Sequence, residues 1–185
     1  PEAAAARERG LTQASLPEAL AHLFLSRRQP AVVAGTHGKT TTTGLLTHVL
    51  READLDPGFL VGGVIVGEER TAGTGTGPVF CVEGDEYDSA YFDKGPKFVH
   101  YQPAASIITS VEFDHADIYR DVEHVKSSFA RLVELLPEGA PLDRQRNADD
   151  GVLVAGAGTI QRRRQQALTP QLQARRQGCD VCMSA

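Results

Sequence analysis

Apolar residues along this chain form short continuous runs and longer periodic stretches, and each kind predicts a different element. PAVVAG, from Pro30, and FLVGGVIV, from Phe59, are continuous runs of the kind that form buried parallel strands. Between them, residues 40–53 have a helical pattern. The positions of its predicted apolar face are Leu45, Leu46, Val49 and Leu50. The order of strand, helix and strand is typical of a parallel α/β unit.

The same alternation continues in the second half of the chain. VFCV, at 79–82, and AASIITSV, which ends near Val111, predict two further strands. Asp121 then predicts the start of a helix, which ends at Pro137 and Gly139. Its apolar positions are Val122, Val125, Phe129, Leu132, Val133 and Leu136. We therefore expect an α/β fold with a mostly parallel sheet flanked by helices.

Three other segments lack this alternation. Residues 1–29 favour helix, and Ser15 with Glu18 resembles a capping box. GEERTAGTGTG, at 67–77, has no periodicity and predicts a loop. After about Pro141 the chain becomes rich in Gln and Arg, although GVLVAGAG, at 151–158, is one more candidate strand. We expect residues 142–185 to be weakly ordered or helical without a strong burial face.

Composition narrows the class of protein. Of 185 residues, 41% are hydrophobic and 23% are charged, and the net charge is −5. These values are typical of soluble globular protein and do not indicate a nucleic-acid surface. The apolar runs are too short to span a bilayer, and we expect no secretion leader, because the first residues lack the charged, then apolar, then small-residue pattern. Three cysteines, Cys81, Cys179 and Cys182, favour a reducing cytoplasm, and we interpret the CDVC spacing as incidental.

A glycine-rich stretch, GTHGKTT, follows the first predicted strand and opens the helix behind it. The common phosphate loop, G-x-x-x-x-G-K-[ST], would place its first glycine at Val33, but the glycine comes at Gly35. The context still suits phosphate, because backbone N–H groups at a helix start and the helix dipole favour anions. Lys39 supplies a positive charge, and the Thr40 hydroxyl is a ligand for the magnesium that accompanies ATP. The alternative is a glycine turn with an incidental lysine.

Two acidic motifs follow the next strands. The carboxylates of VEGDEYD are Glu83, Asp85, Glu86 and Asp88. The polar residues of EFDHADIY are Glu112, Asp114, His115 and Asp117. Ligands of open α/β sheets gather at the carboxyl ends of strands, so these groups are placed to share a metal with the glycine-rich stretch. The alternatives are a solvated acidic loop and a surface ion pair of the histidine.

These three motifs, in this order and context, resemble the central ATP-binding domain of the Mur ligase family over about residues 7–140. The resemblance implies a P-loop-type sheet flanked by helices. It divides the chain into a helical lead-in from a UDP-binding domain at 1–29, an incomplete ATP-binding domain at 30–141 and an atypical tail at 142–185. It also implies that the chain is a fragment of a longer enzyme.

The resemblance implies a role for each matching residue. The nucleotide would be bound by Gly35, Thr36, His37, Gly38, Lys39, Thr40 and Thr41. Lys39 would contact the β- and γ-phosphates, Thr40 and Glu83 would ligate one Mg²⁺, and His115 would ligate a second. Lys39, Glu83 and His115 are therefore the expected catalytic residues, with ATP and Mg²⁺ as cofactors.

The substrates implied by the resemblance are small molecules, with no nucleic acid or membrane partner. The family joins amino acids or peptides to a UDP-linked sugar acid through an acyl phosphate. The motif histidine and the acid-rich pattern favour its UDP-N-acetylmuramate branch, in which the amine substrate is either L-alanine or the murein tripeptide. The insertion FDKGPKFVHY favours the tripeptide and peptidoglycan recycling. L-alanine, or a nucleotide-binding remnant without turnover, are the alternatives.

Overall fold

The computed structural model describes residues 2–65, 69–90, 92–114 and 118–144. Its helices are α1 (Glu2–Glu8), α2 (Leu16–Leu20), α3 (Lys39–Glu52) and α4 (Val122–Glu134). Its strands are β1 (Gln29–Ala34), β2 (Gly58–Ile65), β3 (Arg70–Gly73), β4 (Val79–Gly84), β5 (Ala105–Ile108) and β6 (Leu142–Arg144). A π-helical turn (Ala21–Leu25) continues α2, and a 3-10 turn (Lys97–His100) precedes β5. Among these helices, none is long and apolar enough to cross a membrane.

One six-stranded sheet organises the described chain, in the order β3-β2-β4-β1-β5-β6. All neighbours are parallel except β2 and β3. Ala34, the last residue of β1, pairs with Gly84 of β4 on one side and with Ile108 of β5 on the other. Three strands therefore end side by side at the centre of the sheet, and the expected mostly parallel α/β fold is confirmed.

The predicted loop at 67–77 is partly wrong, because Arg70–Gly73 is strand β3. It lies at the sheet edge and pairs with β2 in antiparallel register, Phe59 opposite Gly73. Three of its four residues are exposed, so its sequence needs no apolar alternation. A Cβ at Gly73 would lie 2.4 Å from the Phe59 ring, which explains a glycine at this point of the strand.

The predicted apolar face of α3 is also partly wrong. Thr43 and Thr47 are its buried positions, whereas Leu45 is 60% exposed and Val49 is 53% exposed. Each buried threonine donates its hydroxyl to the carbonyl four residues earlier, at 2.8 Å, so no polar atom is left unpaired. The helix therefore packs on the sheet through small hydroxyl side chains. Of the four predicted apolar positions, Leu46 and Leu50 pack against the core.

The helix α4 agrees with its prediction. Asp121 caps it by accepting a hydrogen bond from the backbone N–H of His124 at 2.8 Å. Val125, Phe129 and Leu132 are fully buried in the main core. They cover the sheet on the face that also holds the 3-10 turn, where Phe98 stacks on Phe129 with ring centroids 6.3 Å apart.

The structure includes the predicted capping box near the start of the chain and the predicted domain boundary at 141. The capping box at α2 is formed, because Ser15 N–H donates to Glu18 at 2.8 Å and Glu18 N–H donates to the Ser15 hydroxyl at 3.4 Å. The sheet continues into β6, just past the predicted domain boundary at 141. The candidate strand at 151–158, Cys179 and Cys182 lie outside the described residues.

The contrast between α3 and α4 gives a stability test with one substitution type. We expect Leu132→Ala to lower the free energy of unfolding by about 2–5 kcal/mol, because it opens a cavity in a closed core. Leu45→Ala is the matched control in an exposed helical position, with an expected change of about 0.5 kcal/mol or less. Urea unfolding followed by circular dichroism measures both values. Equal losses would contradict the assignment of the buried faces.

Candidate functional site

The glycine-rich turn between β1 and α3 is formed by residues 35–38. Gly35 has φ +132° and Gly38, which caps α3, has φ +82°, both in the region that favours glycine. A Cβ at Gly35 would lie 2.2 Å from the Thr109 hydroxyl and 2.9 Å from the Ser110 backbone. Side chains are thus excluded where β1 leaves the sheet, and the first N–H groups of α3 open onto the turn.

The turn is held against the segment that follows β5. Thr36 N–H donates to the Ser110 carbonyl at 2.8 Å, and His37 N–H donates to the Ser110 hydroxyl at 3.0 Å. The Thr36 hydroxyl accepts from Glu112 N–H at 3.0 Å and donates to the Glu112 carbonyl at 3.1 Å. These bonds fix the turn from outside its own sequence. Ser110 is not among the residues predicted from the sequence, because its only signal there is a hydroxyl residue at a strand end.

Lys39 points back over the turn. Its ammonium donates to the Gly35 carbonyl at 2.7 Å and lies 3.4 Å from the Thr36 carbonyl. It also donates to the Glu86 carboxylate at 3.1 Å and lies 3.7 Å from Asp85. The side chain of Lys39 is 11% exposed, and that of Glu86 is 1% exposed. The ammonium is therefore held at the mouth of the turn by two carbonyls and a buried acid.

Glu83 and Thr40 form a second pair beside the turn. The Thr40 hydroxyl donates to Glu83 Oε2 at 3.0 Å, and the backbone N–H of Gly62 donates to Oε1 at 2.6 Å. Glu83 is opposite Val33 in the register of β4 and β1, which brings it to the start of α3. A Cβ at Gly62 would lie 3.4 Å from both carboxylate oxygens, so the neighbouring strand leaves room for this carboxylate.

This pair fits the ligand chemistry of Mg²⁺. Magnesium takes oxygen ligands and is usually held by one or two carboxylates together with phosphate and water. Thr40 and Glu83 offer one hydroxyl and one carboxylate oxygen in contact. Within the residues that the structure describes, no group of three or more His, Cys, Asp or Glu side chains forms a closed cage. The donor set therefore suits a cation that completes its shell with phosphate and water.

The other acids of VEGDEYD lie in different surroundings. Asp85 pairs with Lys97 at 2.6 Å, and the Lys97 ammonium lies 4.7 Å from the centroid of the Tyr87 ring. Burial and the adjacent Asp85 raise the pKa of Tyr87 to about 12, so this phenol stays neutral at ordinary pH. Asp88 pairs instead with the exposed Lys94 at 2.8 Å. Of the motif, only Asp88 resembles the solvated loop of the alternative interpretation.

The third motif is only partly described. Asp114 is exposed, and His115 and Asp117 lie outside the described residues, so the predicted ligand role of His115 stays a prediction. Just beyond them, the Tyr119 hydroxyl donates to the Glu86 backbone carbonyl. It also lies 3.2 Å from the Ser128 hydroxyl of α4. The segment after the third motif is therefore tied to the acid that contacts Lys39.

Known proteins with similar sequences include UDP-N-acetylmuramate ligases of two kinds. No family model matches the chain. The UDP-N-acetylmuramate--L-alanyl-gamma-D-glutamyl-meso-2,6-diaminoheptandioate ligases of Haemophilus influenzae and Escherichia coli are each 44% identical over 130 residues, 70% of this chain. A UDP-N-acetylmuramate--L-alanine ligase of Salinispora arenicola is 44% identical over 135 residues. The chain spans only 25–29% of the length of these three relatives.

Solved structures show the same similarity. The UDP-N-acetylmuramate:L-alanyl-gamma-D-glutamyl-meso-diaminopimelate ligase from Neisseria meningitides has a TM-score of 0.74 and 38% identity, covering 80% of this chain and 48% of that one. A murein peptide ligase from Psychrobacter arcticus has a TM-score of 0.65 and 34% identity, covering 76% of this chain and 32% of that one. The sequence resemblance is thus confirmed, and the chain belongs to the Mur ligase family.

Proposed function

We propose that this segment is the nucleotide-binding part of an ATP-dependent ligase of peptidoglycan recycling in the cytoplasm. The enzyme would join UDP-N-acetylmuramate to L-alanyl-γ-D-glutamyl-meso-diaminopimelate. The observation that carries the proposal is the turn at 35–38, with the Lys39 ammonium at its mouth and Thr40 paired with Glu83 beside it. The similarity to the tripeptide ligases of Haemophilus influenzae, Escherichia coli and Neisseria meningitides supports this choice of substrates.

The residues of the proposed site have separate roles. Gly35, Thr36, His37 and Gly38 shape the turn, while the N–H groups from Lys39 to Thr41 at the start of α3 receive phosphate oxygens. Lys39 binds the β- and γ-phosphates as a positioned cation. Thr40 and Glu83 would hold one Mg²⁺, and His115, which lies outside the described residues, would ligate a second. Mg²⁺ neutralises charge on the phosphates when bound.

The proposed reaction transfers a phosphoryl group and then forms an amide. The muramoyl carboxylate attacks the γ-phosphorus of ATP, which gives ADP and an acyl phosphate. The tripeptide amine then attacks the acyl carbon, loses a proton and expels phosphate. The turn contributes by fixing the phosphoryl group and stabilising its charge, because little covalent chemistry falls to the protein.

Two alternatives remain for the substrate and the turnover. An L-alanine ligase is favoured by the relative from Salinispora arenicola. The segment FDKGPKFVHY is the sequence feature that favours the tripeptide, and it is integrated into the fold, since Lys97 pairs with Asp85 and Phe98 is fully buried. A nucleotide-binding remnant without turnover is the second alternative.

The phosphate role of Lys39 is tested by binding. We expect Lys39→Ala to weaken Mg–ATP binding about 10- to 100-fold, because a charge-assisted contact contributes roughly 1.5–3 kcal/mol. Isothermal titration calorimetry of the 185-residue chain measures this change, with circular dichroism to check folding. Lys94→Ala is the matched control, since Lys94 is exposed and pairs with Asp88 away from the turn. Equal affinity in Lys39→Ala and the unsubstituted chain would refute the phosphate role.

The metal role of Glu83 is tested by magnesium dependence. Glu83→Gln keeps the size of the side chain but removes its charge, so we expect the Mg²⁺ concentration that half-saturates ATP binding to rise about tenfold. Titrating Mg²⁺ at fixed ATP measures this concentration. Glu123→Gln is the matched control, since it removes an exposed carboxylate of an i,i+3 ion pair on α4. A parallel shift in both variants would argue against a ligand role for Glu83.

The proposed substrates are tested by amine-dependent release of phosphate. We expect a full-length enzyme that contains this segment, with ATP, Mg²⁺ and UDP-N-acetylmuramate, to release phosphate when the murein tripeptide is added and not when L-alanine is added. Mass spectrometry of the UDP-linked product identifies the amide formed. Turnover with L-alanine would favour the first alternative. Nucleotide binding without turnover on either amine would favour the remnant.

A further inference from the structure

We infer that Glu86 is a buried counter-ion of Lys39 that occupies its ammonium group in the absence of nucleotide and competes with phosphate for it. The inference rests on the proposed nucleotide site. Its observation is the contact of 3.1 Å between Lys39 Nζ and Glu86 Oε2, at the mouth of the glycine-rich turn. It makes Glu86 a positioning residue that sets how strongly Lys39 holds a nucleotide.

The Lys39 ammonium already has oxygen partners in the protein. A lysine ammonium has three N–H donors and no acceptor. Here its oxygen contacts within 3.5 Å are the Gly35 carbonyl, the Thr36 carbonyl and the Glu86 carboxylate. The donors are thus matched to protein oxygens before any phosphate arrives. A phosphate oxygen that binds Lys39 has to displace or share at least one of these contacts.

The Glu86 carboxylate is buried beside the Lys39 ammonium. Glu86 is 2% exposed, and a buried charge is costly to leave without compensation. Its place is fixed from the backbone side, because its own carbonyl accepts the Tyr119 hydroxyl. The carboxylate is therefore held against Lys39 and cannot retreat freely into water. When an anion takes the ammonium, this carboxylate faces the anion across a short distance and weakens its binding.

Asp85 is the weaker partner of Lys39. Its nearest oxygen lies 3.7 Å from Lys39 Nζ, whereas its other oxygen lies 2.6 Å from Lys97 Nζ. Lys97 therefore neutralises most of the charge of Asp85. Glu86, whose carboxylate lies 3.1 Å from Lys39 Nζ and is almost fully buried, is the main carboxylate partner of the ammonium.

The first experiment measures nucleotide affinity. Glu86→Gln preserves shape and removes the charge, so we expect Mg–ATP to bind about three- to tenfold more tightly to the 185-residue chain by calorimetry. Asp88→Asn removes the same charge two residues away, where it is paired with exposed Lys94, and we expect a change of about twofold or less. Unchanged or weaker binding in Glu86→Gln would overturn the counter-ion role, since a merely structural role predicts weaker binding.

The second experiment needs no nucleotide. Lys39→Ala leaves Glu86 without this cation, so we expect the melting temperature to fall by about 5 °C or more. Adding Glu86→Gln in the Lys39→Ala background should recover most of that loss, because the double variant no longer buries a negative charge whose opposing ammonium has been removed. A further fall in the double variant would overturn the inference.

The outcomes separate the inference from the proposed function. If the unsubstituted chain binds no Mg–ATP, both the nucleotide site and the competition between Glu86 and phosphate are refuted. The melting temperatures still test the ion pair between Lys39 and Glu86. If Glu86→Gln does not fold, Glu86→Asp retracts the carboxylate by one methylene and should tighten Mg–ATP binding in the same direction. Weaker or equal binding in that variant would overturn the competition.

Discussion

The parallel pairing of β1 with β4 on one side and β5 on the other is the constraint on which the site depends. It brings the ends of three strands into line, with Ala34 between Gly84 and Ile108. The turn that follows β1 therefore begins between the acidic motif after β4 and the hydroxyl residues after β5. A change of register by one residue would turn Glu83 to the opposite face of the sheet and separate it from Thr40.

Close approach at the turn adds a second constraint. Gly35 leaves no space for a side chain beside Thr109 and Ser110, and this contact lets Ser110 bind both Thr36 and His37. The short form of the glycine-rich motif thus has a local reason. The turn is held in place by hydrogen bonds from the neighbouring strand end rather than by bonds within a longer loop. The first N–H groups of α3 remain available at the turn.

The sequence predicts those elements whose burial is expressed through apolar periodicity and misses those packed in other ways. The helix α4 buries Phe129 and Leu132 as its pattern indicates. In α3 the pattern is misleading, because Thr43 and Thr47 satisfy their hydroxyls within the helix and are fully buried, whereas Leu45 and Val49 are exposed. Glu86 could not be distinguished from its acidic neighbours, since it is buried among contacts distant in sequence, such as the hydrogen bond from Tyr119, whose hydroxyl also contacts Ser128 of α4.

Charge balance around Lys39 bears on how such a turn attracts a nucleotide. Two lysines, Lys39 and Lys97, pair with two acids, Asp85 and Glu86, so the formal charges of this cluster cancel. A neutral cluster attracts a polyphosphate only weakly from a distance. Attraction must then come from the N–H groups at the start of α3 and from a cation that accompanies the phosphates, which Thr40 and Glu83 are placed to receive. In this arrangement Lys39 orients a bound nucleotide and contributes little to attracting a free one, because its ammonium exchanges Glu86 for phosphate only when the two are in contact.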